Sequence, residues 1–74
     1  MTAHERIVSD PEIVTGKPVI RGTRITVELV LRLLGKGHAV DELAKSYQVT
    51  RDDILACQAY AADVVAKHGM VAAE

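Results

Sequence analysis

Apolar residues recur at a helical spacing in the middle of the chain and define a first predicted helix. Four of them fall at positions i, i+3, i+4 and i+7 and so share one helix face: Val27, Val30, Leu31 and Leu34. Thr26 is predicted to cap the start of this helix, because its hydroxyl can accept a hydrogen bond from a free backbone N–H. Gly35 and Gly37 are predicted to end it.

The same spacing continues in a short second helix, predicted from Val40 to Tyr47, and in a longer third helix, predicted from Arg51 to His68. Thr50 is expected to cap the third helix, and Asp53 three positions later resembles a capping box with Asp in place of Glu. Because the connection between the two helices is only residues 48–50, the pattern is that of a helix–turn–helix.

The third helix is apolar on nearly every side, since eleven of the thirteen residues from Ile54 to Ala66 are apolar. One stripe is predicted to face the first two helices: Ile54, Cys57, Ala61 and Val64. A second stripe consists mostly of small side chains: Leu55, Ala59, Ala62 and Ala66. A helix that is apolar all round is normally buried, and a chain this short has nothing to cover the second stripe. These last four residues are therefore the predicted interface of a homodimer.

Residues 1–25 lack a helical pattern and are predicted to form an extended, β-hairpin-like arm. Ile7 and Val8 are expected in a very short strand that stops at the turn signal Asp10-Pro11. Residues 12–14 are extended in character and precede a second turn at 15–16. Such a small β unit is marginal alone, so it must pack on the helices or on a partner chain.

The segment Lys17–Ile25 completes the arm and alternates partly between apolar and polar residues. Strand geometry would place Val19 and Arg21 on one face and Ile20 on the other. Gly22 permits a bend where a side chain would clash. The segment is therefore predicted to be a short or edge strand that leads directly into the first helix.

The length of 74 residues allows one small domain with a marginal core. We predict a single, mainly α domain, with the arm at 1–25, a three-helix helix–turn–helix bundle at 26–69 and a tail at 70–74. Domains of this size usually need a disulfide, a metal or a partner subunit. The chain has one cysteine, which excludes an intrachain disulfide, so a homodimer is the expected solution.

No arrangement of nucleophile and base, and no metal-ligand spacing, stands out in the sequence. His4, His38 and His68 are scattered, and Cys57 is expected to be a small core residue. We predict no catalytic residues, no metal or other cofactor and no enzymatic activity. No apolar run approaches the roughly 20 residues of a membrane helix, and no signal peptide opens the chain, so a cytoplasmic protein is expected.

Charge is unevenly distributed along the chain, whose net charge is −1. Residues 1–36 hold six cations and four acidic residues (+2), whereas residues 37–74 hold three cations and six acidic residues (−3). DNA contact is therefore expected in the arm, where Lys17, Arg21 and Arg24 could bind phosphates. The alternative, that these cations form a solvated strand face, is equally compatible with the sequence. Three residues near the helix–helix turn are predicted to add DNA contacts: Lys45, Gln48 and Arg51.

Several runs of residues resemble the family known as domain of unknown function 433. The most specific is Gly16–Ile25, which reads GKPVIRGTRI, and the run from Ile7 to Ile13 and the pair Tyr60-Ala61 fit as well. The resemblance implies a homeodomain-like helix–turn–helix bundle preceded by a short β segment. Many members look like antitoxins that are encoded beside a toxin with a PIN-like ribonuclease fold. The chain departs from the family pattern at Ala39-Val40, where Ser-Pro is frequent.

Two functional hypotheses from different classes follow. In the first, the protein is a dimeric antitoxin that neutralises a PIN-like ribonuclease toxin and represses its own operon by binding promoter DNA. In the second, it is a small dimeric protein–protein interaction module without DNA binding. In a helix–turn–helix the second helix, here the third helix of the chain, is the recognition helix, and a strongly basic one would favour repression. Its start offers only Arg51 beside Asp52 and Leu55.

Overall fold

The computed structural model describes residues 3–68 and gives side chains from residue 5 onward; residues 1–2 and the predicted tail lie outside this range. The elements are α1 (Ala3–Arg6), β1 (Ile7–Val8), a 3-10 turn (Val14–Gly16), β2 (Val19–Ile20), α2 (Val27–Gly35), α3 (Val40–Ser46) and α4 (Arg51–His68). The predicted mainly α architecture is confirmed: three principal helices follow a short antiparallel pair of strands.

The two strands form an antiparallel ladder in which Ile7 pairs with Ile20 and Val8 with Val19. The ladder continues by one bond, because the Arg21 N–H donates to the carbonyl of Arg6 at 2.7 Å. β2 also bridges forward to Thr26, the residue before α2. The strand pair is thereby joined by hydrogen bonds to the start of the first principal helix.

The core combines the strands with the helices, as predicted for a β unit that is marginal alone. Its buried members come from every principal helix and both strands: Ile7, Val19, Ile20, Val27, Val30, Leu43, Ile54, Ala56 and Cys57. α4 is the central element, since α1, β1, α2 and α3 all lie against it. Cys57 is fully buried, which confirms its prediction as a core residue.

Side-chain caps begin two of the principal helices at the predicted positions. The Thr26 hydroxyl accepts from the Leu29 N–H at 3.0 Å. Thr50 and Asp53 form a reciprocal capping box, in which each side chain accepts from the other residue's N–H at 3.0 Å. α3 lacks a capping side chain at Ala39 and instead uses the Glu42 carboxylate, which accepts from the Ala39 N–H at 3.1 Å.

The ends of α2 and α3 share one backbone motif. At the end of α2, His38 donates to Leu33 and Gly37 donates to Leu34, with Gly37 at φ 103°. This is a Schellman motif, which satisfies the last carbonyls through a left-handed residue. α3 ends in the same way, except that the left-handed position is held by Gln48, at φ 58°.

The N-terminal 25 residues differ from the prediction of an extended arm. Ala3–Arg6 is a helical turn instead of extended chain. The turn predicted at residues 15–16 is present but begins one residue earlier, with positive φ angles of 47°, 52° and 84° at Val14, Thr15 and Gly16. Val19 and Ile20 are both buried, so both faces of this short strand are covered. The strand ends at Ile20 because the chain turns at Gly22 (φ 80°), where the Thr23 N–H donates to the Ile20 carbonyl.

Candidate interaction surfaces

The stripe predicted as a dimer interface lies on the side of α4 away from the core. Leu55 retains 38% of its exposure, and Ala59, Ala62 and Ala66 are exposed. Residues 5–68 therefore leave this apolar face uncovered, as predicted. Its occupation by a second chain stays a prediction.

An apolar groove lies beside this face, between α2 and the distal half of α4. Its volume is about 500 Å³. Nine residues line it: Pro18, Val27, Glu28, Leu31, Arg32, Tyr60, Ala61, Val64 and Val65. Val65 is 57% exposed, although valine normally contributes to a core. The sequence pattern assigned Leu31 and Val64 to buried stripes, whereas both line this groove and are only partly buried.

The rim of the groove carries a charged triad in which one carboxylate binds two cations. Glu28 accepts from the Lys17 ammonium at 3.2 Å and from the Arg32 guanidinium at 2.9 Å. These hydrogen bonds, that of Arg32 first, hold the pKa of Glu28 below its ordinary value. The triad has a net charge of +1, so the rim favours a partner with a carboxylate beside its apolar surface.

The three predicted DNA-binding cations of the arm have different environments. Lys17 belongs to the rim of the groove through Glu28. Arg21 is fixed over α1, since its Nε donates to the Glu5 carbonyl at 2.7 Å. Arg24 is exposed and makes no ion pair with any residue between 5 and 68. Of these three cations, only Arg24 is exposed and has a charged group that makes no hydrogen bond or ion pair with another residue described in the structure.

The three predicted DNA-binding residues around the α3–α4 turn are all exposed. Arg51 is paired with Asp41 at 2.5 Å, so its charge is locally neutralised. Lys45 makes no ion pair within the described residues, and Gln48 occupies the left-handed position between the helices. Ala56, near the start of α4, is buried in the core and is therefore not accessible to DNA.

A polar site missed in the sequence joins the N-terminal segment to α4. Arg6 donates to Asp53 at 2.9 Å and lies 3.8 Å from Asp52. Burial raises the pKa of Asp53, but the hydrogen bonds from the Thr50 N–H and from Arg6 outweigh it, and the net pKa is lowered. Arg6 and Asp53 are 47 positions apart, and no local pattern in the sequence relates them.

Residues that could support metal or thiol chemistry are not brought together. Among the described residues, no group of three His, Cys, Asp or Glu side chains could hold a metal ion. Burial, with a contribution from the charge of Asp53, raises the pKa of Cys57 to about 11. His38 contacts Glu42 at 3.0 Å, whereas the side chain of His4 lies outside the described part. None of the helices described is long and apolar enough to cross a membrane.

Comparison with known proteins places the chain in a family. The sequence profile of "Protein of unknown function (DUF433)" matches residues 7–61. The chain belongs to this family. It is also similar to the "Uncharacterized protein y4eO" of Sinorhizobium fredii (strain NBRC 101917 / NGR234), with 38% identity over 45 residues. This match covers 61% of the chain but only 20% of that relative. No solved structure matches.

Within this DUF433 chain, the matched region and the packed core nearly coincide. The match ends at Ala61, and the last fully buried residue of α4 is Cys57. The seven helical residues that follow, 62–68, carry the exposed Val65 and two of the four predicted interface residues. The distal part of α4 therefore serves the surface more than the core.

Proposed function

We propose that this protein is the antitoxin of a type II toxin–antitoxin pair and that it acts in the cytoplasm by binding a PIN-like ribonuclease toxin. The observation that carries the proposal is the apolar groove between α2 and α4. An open groove of about 500 Å³ with a 57% exposed valine at its edge is typical of a protein-binding surface. The family resemblance supplies the class of partner.

The charged triad supports recognition of a helix or loop that carries a carboxylate. Arg32 is 70% exposed and Lys17 is 54% exposed, so both remain accessible beside the groove. A partner that buries apolar side chains in the groove could place a carboxylate next to this surplus positive charge. Such complementarity adds specificity and association rate more than affinity.

The test combines the purified protein with the ribonuclease encoded beside its gene. Wild-type protein is expected to inhibit cleavage of a labelled RNA and to co-purify with the toxin. Val65→Asp should weaken binding by at least about tenfold, because it places a charge against apolar surface.

Gln58→Asp is the matched control, since it introduces the same charge on an exposed position of α4 outside the groove lining. It is expected to inhibit like wild type. Full inhibition by Val65→Asp would exclude the groove as the binding site, and a toxin unaffected by wild-type protein would exclude the antitoxin assignment.

A second candidate function is binding of promoter DNA by the same protein. The specific observation in its favour is that two cations are exposed and make no ion pair within residues 5–68: Arg24, shortly before α2, and Lys45, in the first helix of the helix–turn–helix. Phosphate contact needs charge and reach without a base code. Gel-shift titration on the DNA upstream of the gene tests it. No binding at low salt would leave the protein-only interaction module as the better description.

A further inference from the structure

We propose that two copies of this chain pair through the outer face of α4, with the two helices antiparallel. The proposal does not depend on the identity of the toxin or on DNA binding. It concerns the side of α4 opposite the core, where Leu55 is 38% exposed and Ala59, Ala62 and Ala66 are exposed.

The outer face has the shape needed for close helix packing. Successive residues of a helix are about 100° apart, which places Leu55, Ala59, Ala62 and Ala66 within about 60° of one another. The large residue is at the N-terminal end of this face and a small one is at the C-terminal end. In an antiparallel pair centred between Ala59 and Ala62, each Leu55 therefore packs against the partner's Ala66. In a parallel pair Leu55 would face Leu55 and Ala66 would face Ala66, which holds the helices apart at one end and leaves a gap at the other.

The opposite charges at the two ends of α4 independently favour a second copy of the chain in the antiparallel direction. Asp52 lies in the first turn of α4 and Lys67 in the last, and both lie on the same flank of the outer face, about 60° apart by helical geometry. A two-fold axis perpendicular to the helices brings Asp52 of one copy beside the partner's Lys67, twice in the dimer. A parallel pair would instead gather both acidic first turns at one end, and it would align the helix dipoles unfavourably.

Both charged residues are available for such a contact. The Asp52 carboxylate is 72% exposed and only 3.8 Å from Arg6, a longer approach than the 2.9 Å between Arg6 and Asp53. Lys67 is exposed. Neither lines the groove assigned to the toxin, so one protein could use both surfaces.

Charge reversal tests the proposal on the full chain by sedimentation equilibrium. Wild-type protein is expected to be a dimer at micromolar concentration, with twice the mass of the 8.0 kDa chain. Asp52→Lys and Lys67→Asp should each weaken the dimer about tenfold, because two exposed attractions become repulsions. The double variant should recover most of the affinity, since each reversed residue meets a reversed partner.

Engineered cysteines test the direction without relying on charge. A mixture of Leu55→Cys and Ala66→Cys proteins should form a disulfide-linked pair, whereas neither variant alone should, because residues 55 and 66 are about 16 Å apart along the helix. The native Cys57 is buried and stays out of the reaction.

The outcomes separate the possible occupants of this face. A monomeric wild type overturns the proposal and leaves the face to another protein. A dimer in which Leu55→Cys alone crosslinks is parallel and also overturns it, as does a double charge reversal weaker than both singles. Each of these results leaves inhibition of the toxin through the groove intact, so the two proposals fail separately.

Discussion

Asp53 has two structural roles, since it closes the capping box with Thr50 and also receives the guanidinium of Arg6. Its side chain is only 17% exposed. Replacing it by Asn keeps an oxygen that can accept from the Thr50 N–H but removes the charge that Arg6 requires. We expect Asp53→Asn to lower the free energy of unfolding by about 1–2 kcal/mol, measured by urea denaturation at pH 7. Glu12→Gln is the control and should change little, since it also removes one negative charge but Glu12 is exposed and makes no ion pair within residues 5–68.

The same residue should contribute to acid sensitivity. Because the folded-state pKa of Asp53 is lowered, its stabilising contribution is present above the ordinary carboxyl pKa, about 4, and is lost as the pH falls through the lower folded value. The wild type should therefore lose stability below about pH 4, and Asp53→Asn should lose less over the same interval. Equal acid dependence in the two proteins would contradict this role.

Cys57 is expected to be chemically inert in the folded protein. With a pKa of about 11, only about 0.1% of the thiol is ionised at pH 8, compared with about 25% for an ordinary thiol. Reaction with a disulfide reagent should be at least about 100-fold slower than for a free thiol, and it should reach the ordinary rate in guanidinium chloride. Rapid reaction of the native protein would show that α4 opens locally.

The matching ends of α2 and α3 allow a paired prediction at the scale of the element. Gln48 holds a left-handed position that glycine adopts without a steric cost, so Gln48→Gly should stabilise the fold by about 0.5–1 kcal/mol. Gly37 holds the equivalent position after α2, and a Cβ there would meet no atom within 4 Å, so Gly37→Ala should destabilise by about 1 kcal/mol through backbone strain alone. Thermal unfolding measures the stability change of each variant. If both variants are stabilised or both are destabilised, the two helix ends are not energetically equivalent.

Gln48→Gly also separates stability from DNA contact. If the Gln48 side chain touches DNA, as its position in the helix–turn–helix predicts, the glycine variant should bind promoter DNA more weakly although it is more stable. Unchanged affinity would assign Gln48 to the turn alone.

The helices could be predicted from the sequence because their determinants are local. Thr26 and Thr50 sit where a side-chain oxygen meets a free N–H, and the spacing of Val27 and Val30 follows directly from the helical repeat. The sequence predicts the turn at residues 15–16 but not its start at Val14, because valine rarely adopts a positive φ. The burial of Ile20 also depends on residues far along the chain, since Ile20 lies in one core cluster with Ile54 and Cys57 of α4.

In the folded molecule, tertiary contacts give neighbouring basic residues different partners, which the sequence alone does not indicate. Lys17 and Arg21 are close in sequence, yet the first pairs with Glu28 on α2 and the second with the backbone of Glu5. The groove is likewise formed by residues more than 40 positions apart, from Pro18 to Val65. Periodicity identifies apolar faces, but it does not show where two of them diverge and leave a groove.

Because these cations have different partners, each is expected to contribute differently to DNA binding. The salt dependence of the binding constant measures how many phosphate contacts each variant loses. Each phosphate contact contributes roughly 0.9 to the slope of log K against log salt. In a dimer, Arg24→Ala removes two cations and should reduce that slope by about 2, with weaker binding to the upstream DNA at every salt concentration. Replacing Arg21 together with Arg24 should weaken binding further, although Arg21→Ala also removes the bond to Glu5. Arg51→Ala should do less, because Arg51 is already paired with Asp41.

Lys36→Ala is the matched control for Arg24→Ala. Lys36 is an exposed cation at the end of α2, and replacing it by alanine removes the same charge. If Lys36→Ala lowers the slope as much as Arg24→Ala does, the effect reflects net charge and no specific contact. If Arg51→Ala abolishes binding while the Arg24 variant binds normally, α4 reads DNA in the conventional way and the loop cations are not the contact. If the slope is smaller for Arg24→Ala than for Lys36→Ala, the phosphate contact lies in the loop of residues 21–24.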